Sequence, residues 1–104
     1  MRDRKERIRQ SLRDAAAEFL SREAGGHSLI TVTRAEIADN SSRAILYLSV
    51  LPQDKEEGAL GLANRHIPEF KVFLKSRVKL MRVPHIEFKI DEGEKNRQRL
   101  DELS

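Results

Sequence analysis

The residues of this chain that could do chemistry are few, and their spacing argues against catalysis. None of the three histidines, His27, His66 and His85, has a second histidine three to five residues away, so no pair shares a helix face in the pattern that holds a metal ion. The chain has no cysteine, which removes a thiolate nucleophile, a disulfide framework and cysteine-ligated zinc or iron-sulfur sites. Serine, histidine and aspartate all occur, but without a nucleophile elbow or a phosphate-cradling glycine loop. His85 and Glu87 alternate in a segment of strand pattern, so Glu87 could tune the imidazole from the same face; a satisfied surface pair is the favoured reading of that spacing. The expectation is a protein with no cofactor, no metal and no catalytic residues.

What the chain does hold in quantity is charge. Of 104 residues, 20 are Lys or Arg and 17 are Asp or Glu, for a net charge of +3. The excess is clustered. Residues 1–13 carry six basic and two acidic side chains, residues 14–64 carry four and eight, and residues 65–82 carry six and one. Two basic segments separated by an acidic one are what a polyanion-binding face looks like in sequence, if the fold brings the segments together. The competing reading is that these side chains only solubilise exposed helix faces.

The elements that would position these charges follow from hydrophobic period. Ile8, Leu12, Ala15, Ala16, Phe19 and Leu20 recur at helical spacing, predicting an amphipathic helix over residues 3–23 that Gly25 and Gly26 terminate. The period then changes to two. Ile30, Val32, Ala35 and Ile37 mark a strand over residues 28–37, with a bulge near Arg34 where alternation slips. After the turn composition of residues 39–42, Ala44, Leu46, Leu48 and Val50 mark a second strand that pairs with the first as a hairpin. Ile45, Tyr47 and Leu51 make its other face apolar too, which places it centrally in the sheet. Residues 52–58 read as an acidic loop leading into a helical stretch that Pro68 must interrupt near Ile67. Beyond that break Ile67, Phe70, Phe73, Leu74, Val78 and Met81 fill one arc of a helical wheel, while Lys71, Lys75, Lys79 and Arg82 fall in an adjoining arc. Arg77 falls inside the apolar arc, and the helix is expected to end before Lys79. A third strand runs over residues 85–90. The result is an α+β two-layer sandwich with its helices on one face of a three-stranded sheet, in a single domain over residues 1–91. Residues 92–104 form a charged tail, read as a short helix or as disordered. The longest apolar run, residues 44–48, is far short of a membrane span, and no apolar stretch follows the charged N-terminus as in a secretory leader; the expected location is cytoplasmic.

Two places could meet phosphate. Gly58 and Gly61 form a GxxG, the spacing that clamps the nucleic-acid backbone in KH domains, but it opens the first helix here instead of joining two helices. The break at His66, Ile67 and Pro68, followed by Lys71 and Lys75, is better placed, because a helix N-terminus presents unpaired amides.

The chain also resembles the ribosome-binding factor A family. The resemblance lies in the basic helix RIRQSLRDAAAEFL, the hairpin SLITVTRAEIADNSSRAILYLSVL, the stretch ALGLANRHIPEFKVFLKSRVKLMRVPHIEFKID and the closing EKNRQRLDEL, with L..RVP.IEF and TVT…A.LYLSV its most specific parts. It implies a KH-like (type II) fold of order helix, strand, strand, helix, kink, helix, strand. That family carries an Ala-x-Gly kink where this chain has His66-Ile67-Pro68, so the kink is made by a different chemistry, and His66 brings a ring that could stack on a base. The resemblance further implies binding to the small ribosomal subunit or its precursor through ribosomal RNA, during late maturation and rRNA processing, with particular importance in the cold. It implies no catalysis, no membrane and a monomer when free. The expected RNA contacts are Arg65, Lys71, Lys75, Lys79 and Arg82, with Arg2, Arg4, Lys5 and Arg9 as a second patch. The alternatives are a protein-protein interaction module without direct RNA binding, docked through the acidic loop and tail, and a small enzyme built on His85 and Glu87.

Overall fold

A computed structural model describes residues 4–24, 26, 28–38, 40–80 and 82–94. The order is α1 (Arg4–Ala24), β1 (Leu29–Ile37), β2 (Arg43–Leu51), a single 3-10 turn (Gln53–Lys55), α2 (Glu56–Arg65), α3 (Ile67–Arg77) and β3 (His85–Ile90). The sheet order is β1-β2-β3, with β2 in the middle. β1 pairs antiparallel with β2, and the register shifts between Val32 and Arg34, so the expected bulge falls at Thr33. β3 pairs parallel to β2, with His85 opposite Arg43 and Ile90 opposite Leu48.

Burial follows the two periods read from the sequence. α1 turns Leu12, Ala15, Ala16, Phe19 and Leu20 inward, and the strands contribute Val32, Ile37, Ala44, Leu46, Leu48, Val50, Ile86 and Phe88. α2 contributes only Ala59 and Ala63, one turn apart, and alanine lets its backbone lie close to the sheet. Phe70 stands at the centre, its ring 5.4 Å from that of Phe19 and 5.7 Å from that of Phe88, so α1, α3 and β3 meet on one aromatic cluster.

Three expectations need correction. The acidic loop is shorter than residues 52–58, because α2 begins at Glu56 and places Glu56 and Glu57 in its first turn, where carboxylates complement the positive end of the helix dipole. Gly58 and Gly61 therefore lie within a helix and form no clamp. α3 ends at Arg77, before Lys79 as expected, with Val78 in extended backbone (φ −129°, ψ 132°); what changes is the wheel arc, which does not extend to Lys79 and Arg82. Phe73 is only partly buried, not a full member of the core. The tail beyond residue 94 lies outside the described residues.

The break between α2 and α3 is built by His66. Its backbone N–H donates to the carbonyls of Leu62 and Ala63, both at 3.2 Å, and its own carbonyl accepts from Phe70 N–H at 2.9 Å. Pro68 sits in the first turn of α3, where its missing donor costs nothing. The half-buried ring is held on both sides, with Nδ1 2.8 Å from the Leu62 carbonyl and Nε2 3.5 Å from Glu23 Oε2.

Two stability outcomes follow. Phe70→Ala should cost about 3–5 kcal/mol in urea unfolding, the range for deleting a buried phenyl group, and Phe73→Ala clearly less because part of that ring faces solvent. A Cβ added at Gly58 would meet nothing within 4 Å, so Gly58→Ala should stabilise by about 0.5–1 kcal/mol.

Candidate nucleic-acid interface

The topology decides where the two basic segments end up. Nine residues of β1 at about 3.4 Å each and 21 residues of α1 at about 1.5 Å each both span roughly 30 Å. The chain reverses between them, so the N-terminus of α1 lies near the end of β1 and the β1–β2 turn. Parallel pairing puts the start of β3, and with it residues 78–80 and 82–84, at that same end of the sheet, and the N–H of His85 donates to the carbonyl of Ser42 in the turn at 2.9 Å. The acidic residues Asp54, Glu56 and Glu57 follow the far end of β2 and stand at the opposite end.

Between the α1 N-terminus and the α3–β3 connection the surface sinks into adjoining hollows. One of about 780 Å³ is lined by Arg4, Lys75, Ser76, Arg77, Val78, Lys79, Leu80, Arg82 and Val83. A second, of about 590 Å³, is lined by Arg4, Lys5, Ile8, Asn40, Ser41, Leu80 and Arg82, and a third, of about 300 Å³, adds Arg7 and Ser11. Arg4 lines all three. Among the described residues no Asp or Glu lines these hollows. Among the described residues Arg4, Arg7, Lys75, Lys79 and Arg82 make no ion pair. Arg77 does, with Glu18 Oε1 at 3.2 Å, and its guanidinium lies 4.8 Å from the centre of the Phe73 ring. The last turn of α3 carries Lys75 and Arg77, where the negative end of the helix dipole favours cations.

Of the residues expected to contact RNA, Lys75, Lys79 and Arg82 from one segment and Arg4 and Lys5 from the other come together here. Arg65 and Lys71 do not line the hollows, and Arg2 lies outside the described residues. Arg9 faces elsewhere, held by Glu6 at 2.6 Å. At the N-terminus of α3, Glu69 lies in the first turn, while Lys75 and Arg77 lie in the last turn beside the hollows. Arg7 and Arg77 escaped the reading, although Arg7 is one turn from Arg4 and on its face.

The remaining cations near the sheet are committed. Arg34 pairs with Glu36, and its guanidinium lies 3.8 Å from the centre of the Tyr47 ring. Partial desolvation opposes its charge, but the hydrogen bond to Glu36 and the nearby charges of Glu36 and Asp91 outweigh that, so its pKa is held above the ordinary value. The buried Asp91 carboxylate accepts from Thr33 Oγ1 at 2.6 Å and from Glu94 N–H at 3.1 Å, tying the bulge to the end of β3. Glu87 pairs with Arg43 at 3.7 Å and with Lys89 at 3.9 Å, so its carboxylate is not reserved for His85. Among the described residues no group of three or more His, Asp or Glu could hold a metal ion, and no helix is long and apolar enough to cross a membrane.

A surface of this kind can seat a chain of phosphates, and the comparisons with known proteins agree in direction. The family model described as "Ribosome-binding factor A" matches residues 4–104. A curated relative, ribosome-binding factor A of Neisseria gonorrhoeae, is 30% identical over 93 residues, which is 89% of this chain and 68% of the relative. The crystal structure of ribosome-binding factor A from Thermus thermophilus superposes with a TM-score of 0.74 at 26% identity, covering 83% of this chain and 94% of that one. Coordinates of the Thermus thermophilus factor fitted into a cryo-electron-microscopy map of a 30S complex give a TM-score of 0.70 at 26% identity, over 81% of this chain and 91% of that one. With a family match over nearly its full length and the expected element order in place, this chain belongs to the ribosome-binding factor A family.

Proposed function

We propose that this protein binds the small ribosomal subunit or its precursor through ribosomal RNA seated on the cationic hollows, and that it assists late maturation of the subunit and processing of its RNA in the cytoplasm. The observation that carries the reading is the lining: cations from two segments far apart in sequence, with no carboxylate among the described residues that line the hollows. Family membership supports it, as does the 30S complex of the Thermus thermophilus relative. The inner contacts are Arg4, Lys75, Lys79 and Arg82, with Lys5 and Arg7 beside them. Arg65 and Lys71 extend the contact along α2 and α3, and Arg2 extends it from the N-terminus; Arg9 is not assigned a contact. The work is positional. Phosphates are neutralised, condensed counterions are released, and the shape of the domain fixes its site. No catalytic step is assigned, and the domain of residues 1–91 acts as one monomeric unit with residues 92–104 as its tail.

Sedimentation with purified small subunits tests this. Lys75→Glu with Lys79→Glu should leave urea unfolding within about 0.5 kcal/mol of wild type, as expected for exposed positions, while strongly reducing the bound fraction. Wild-type occupancy by the charge-reversed protein would contradict the reading. The salt dependence gives a second outcome. Arg82→Ala should lower the log-log slope of affinity against salt by about 1, the signature of one lost phosphate contact, and Arg9→Ala should leave it unchanged. A wild-type affinity that barely changes with salt would favour a protein partner docked through the acidic end of the molecule.

A further inference from the structure

We infer that the hollow between α1 and the β1–β2 turn takes one unstacked nucleotide of a single-stranded RNA segment, its base against Ile8 and Leu80 and its flanking phosphates on Arg4 and Arg82. The inference rests on the reading of these hollows as the RNA seat and adds which part of the RNA they hold. Its basis is the mixed character of the lining. A surface that met only the phosphates of a duplex would need cations and no apolar floor. Here Ile8 and Leu80 both pack partly against the core, and their remaining surface faces a hollow of about 590 Å³ rimmed by Arg4 and Arg82. That volume falls within the roughly 300–1,000 Å³ typical of small-ligand sites.

A nucleobase is the part of RNA that matches such a lining. Its faces are apolar, its edges are polar, and its backbone carries an anion on either side. A paired base cannot reach the floor, because its faces are covered by its neighbours in the stack. The rim also holds a fixed polar group. Ser41 sits at the tip of the turn with φ 57°, a conformation that costs a non-glycine residue energy and persists where the surroundings impose it. The turn is imposed by Ser41 N–H donating to the Ala38 carbonyl at 2.8 Å, and by Asn40 Oδ1 accepting from both Ser42 N–H and Ser42 Oγ. The Ser41 side chain lines the hollow, where it would meet a base edge or a ribose hydroxyl. Among the described residues no aromatic side chain lines this hollow, so the base contact is aliphatic and tolerant of base identity.

Fluorescence anisotropy of the full chain with three labelled probes tests the inference: oligouridine, an abasic ribose-phosphate chain of the same length, and the oligouridine annealed to oligoadenosine. The abasic chain should bind several-fold more weakly than oligouridine, because it lacks the base that meets Ile8 and Leu80, and the duplex should bind more weakly as well. Leu80→Ser should bring oligouridine down to the affinity of the abasic chain without changing the latter. The abasic comparison uses wild-type protein and so stands even if that variant fails to fold. Equal affinity for oligouridine and the abasic chain, or a duplex bound as tightly as the single strand, would overturn the inference and leave the RNA reading intact. Failure of all three probes to bind would overturn both.

Discussion

The arrangement of this molecule depends on β3 entering the sheet parallel to β2. An antiparallel third strand could follow β2 through a short turn and would begin at the acidic end. A parallel one requires the chain to travel back along the sheet first, and α2 and α3 are that return path. The consequence is electrostatic. The connection leaving α3 arrives beside the β1–β2 turn, where the α1 N-terminus already lies, so the two basic segments converge while Asp54, Glu56 and Glu57 stay behind at the other end.

Bringing like charges together is unfavourable, and magnitudes decide whether the fold can sustain it. Two unit charges 4 Å apart in water repel by about 1 kcal/mol, and less at greater separation or in salt. Burying one Leu, Ile or Val side chain contributes about 1.5–3 kcal/mol. Ile8, Val78, Leu80 and Val83 all pack partly against the core beneath the hollows, so packing outweighs repulsion and holds the cations in place before any ligand arrives. The dipole at the end of α3 adds to this through Lys75 and Arg77. On the open sheet face the solution is different: Arg34, Arg43 and Lys89 each have a carboxylate partner.

Much of the fold was legible in the sequence because period reports burial directly. The α1 stripe, the alternation of β2, the slip at the bulge and the third strand are each written in apolar spacing, and Pro68 marks the helix break without ambiguity. The candidate site was legible only as clustering of charge along the chain. The helical wheel could not place Lys79 and Arg82, because the helix stops before Lys79, as expected, and Val78 leaves helical geometry to let the chain turn toward Pro84 and β3. The meeting of Arg4 with Lys79 and Arg82 could not be read at all, because it depends on strand direction, which alternating Ile86, Phe88 and Ile90 leave open. His66 shows the reverse case: a side chain that could have faced RNA is held at a half-buried position by the Leu62 carbonyl and Glu23.

Whether the two basic segments act as one seat is tested most directly by a double-mutant cycle between them, using Arg4→Ala and Arg82→Ala with the dissociation constant for purified small subunits as the readout. Residues that share a binding partner couple by about 0.5–3 kcal/mol, whereas independent sites add to within roughly 0.3–0.5 kcal/mol. A single seat predicts a coupling energy above that additive limit. Strict additivity of the two losses would mean that the segments bind separately and would contradict the account.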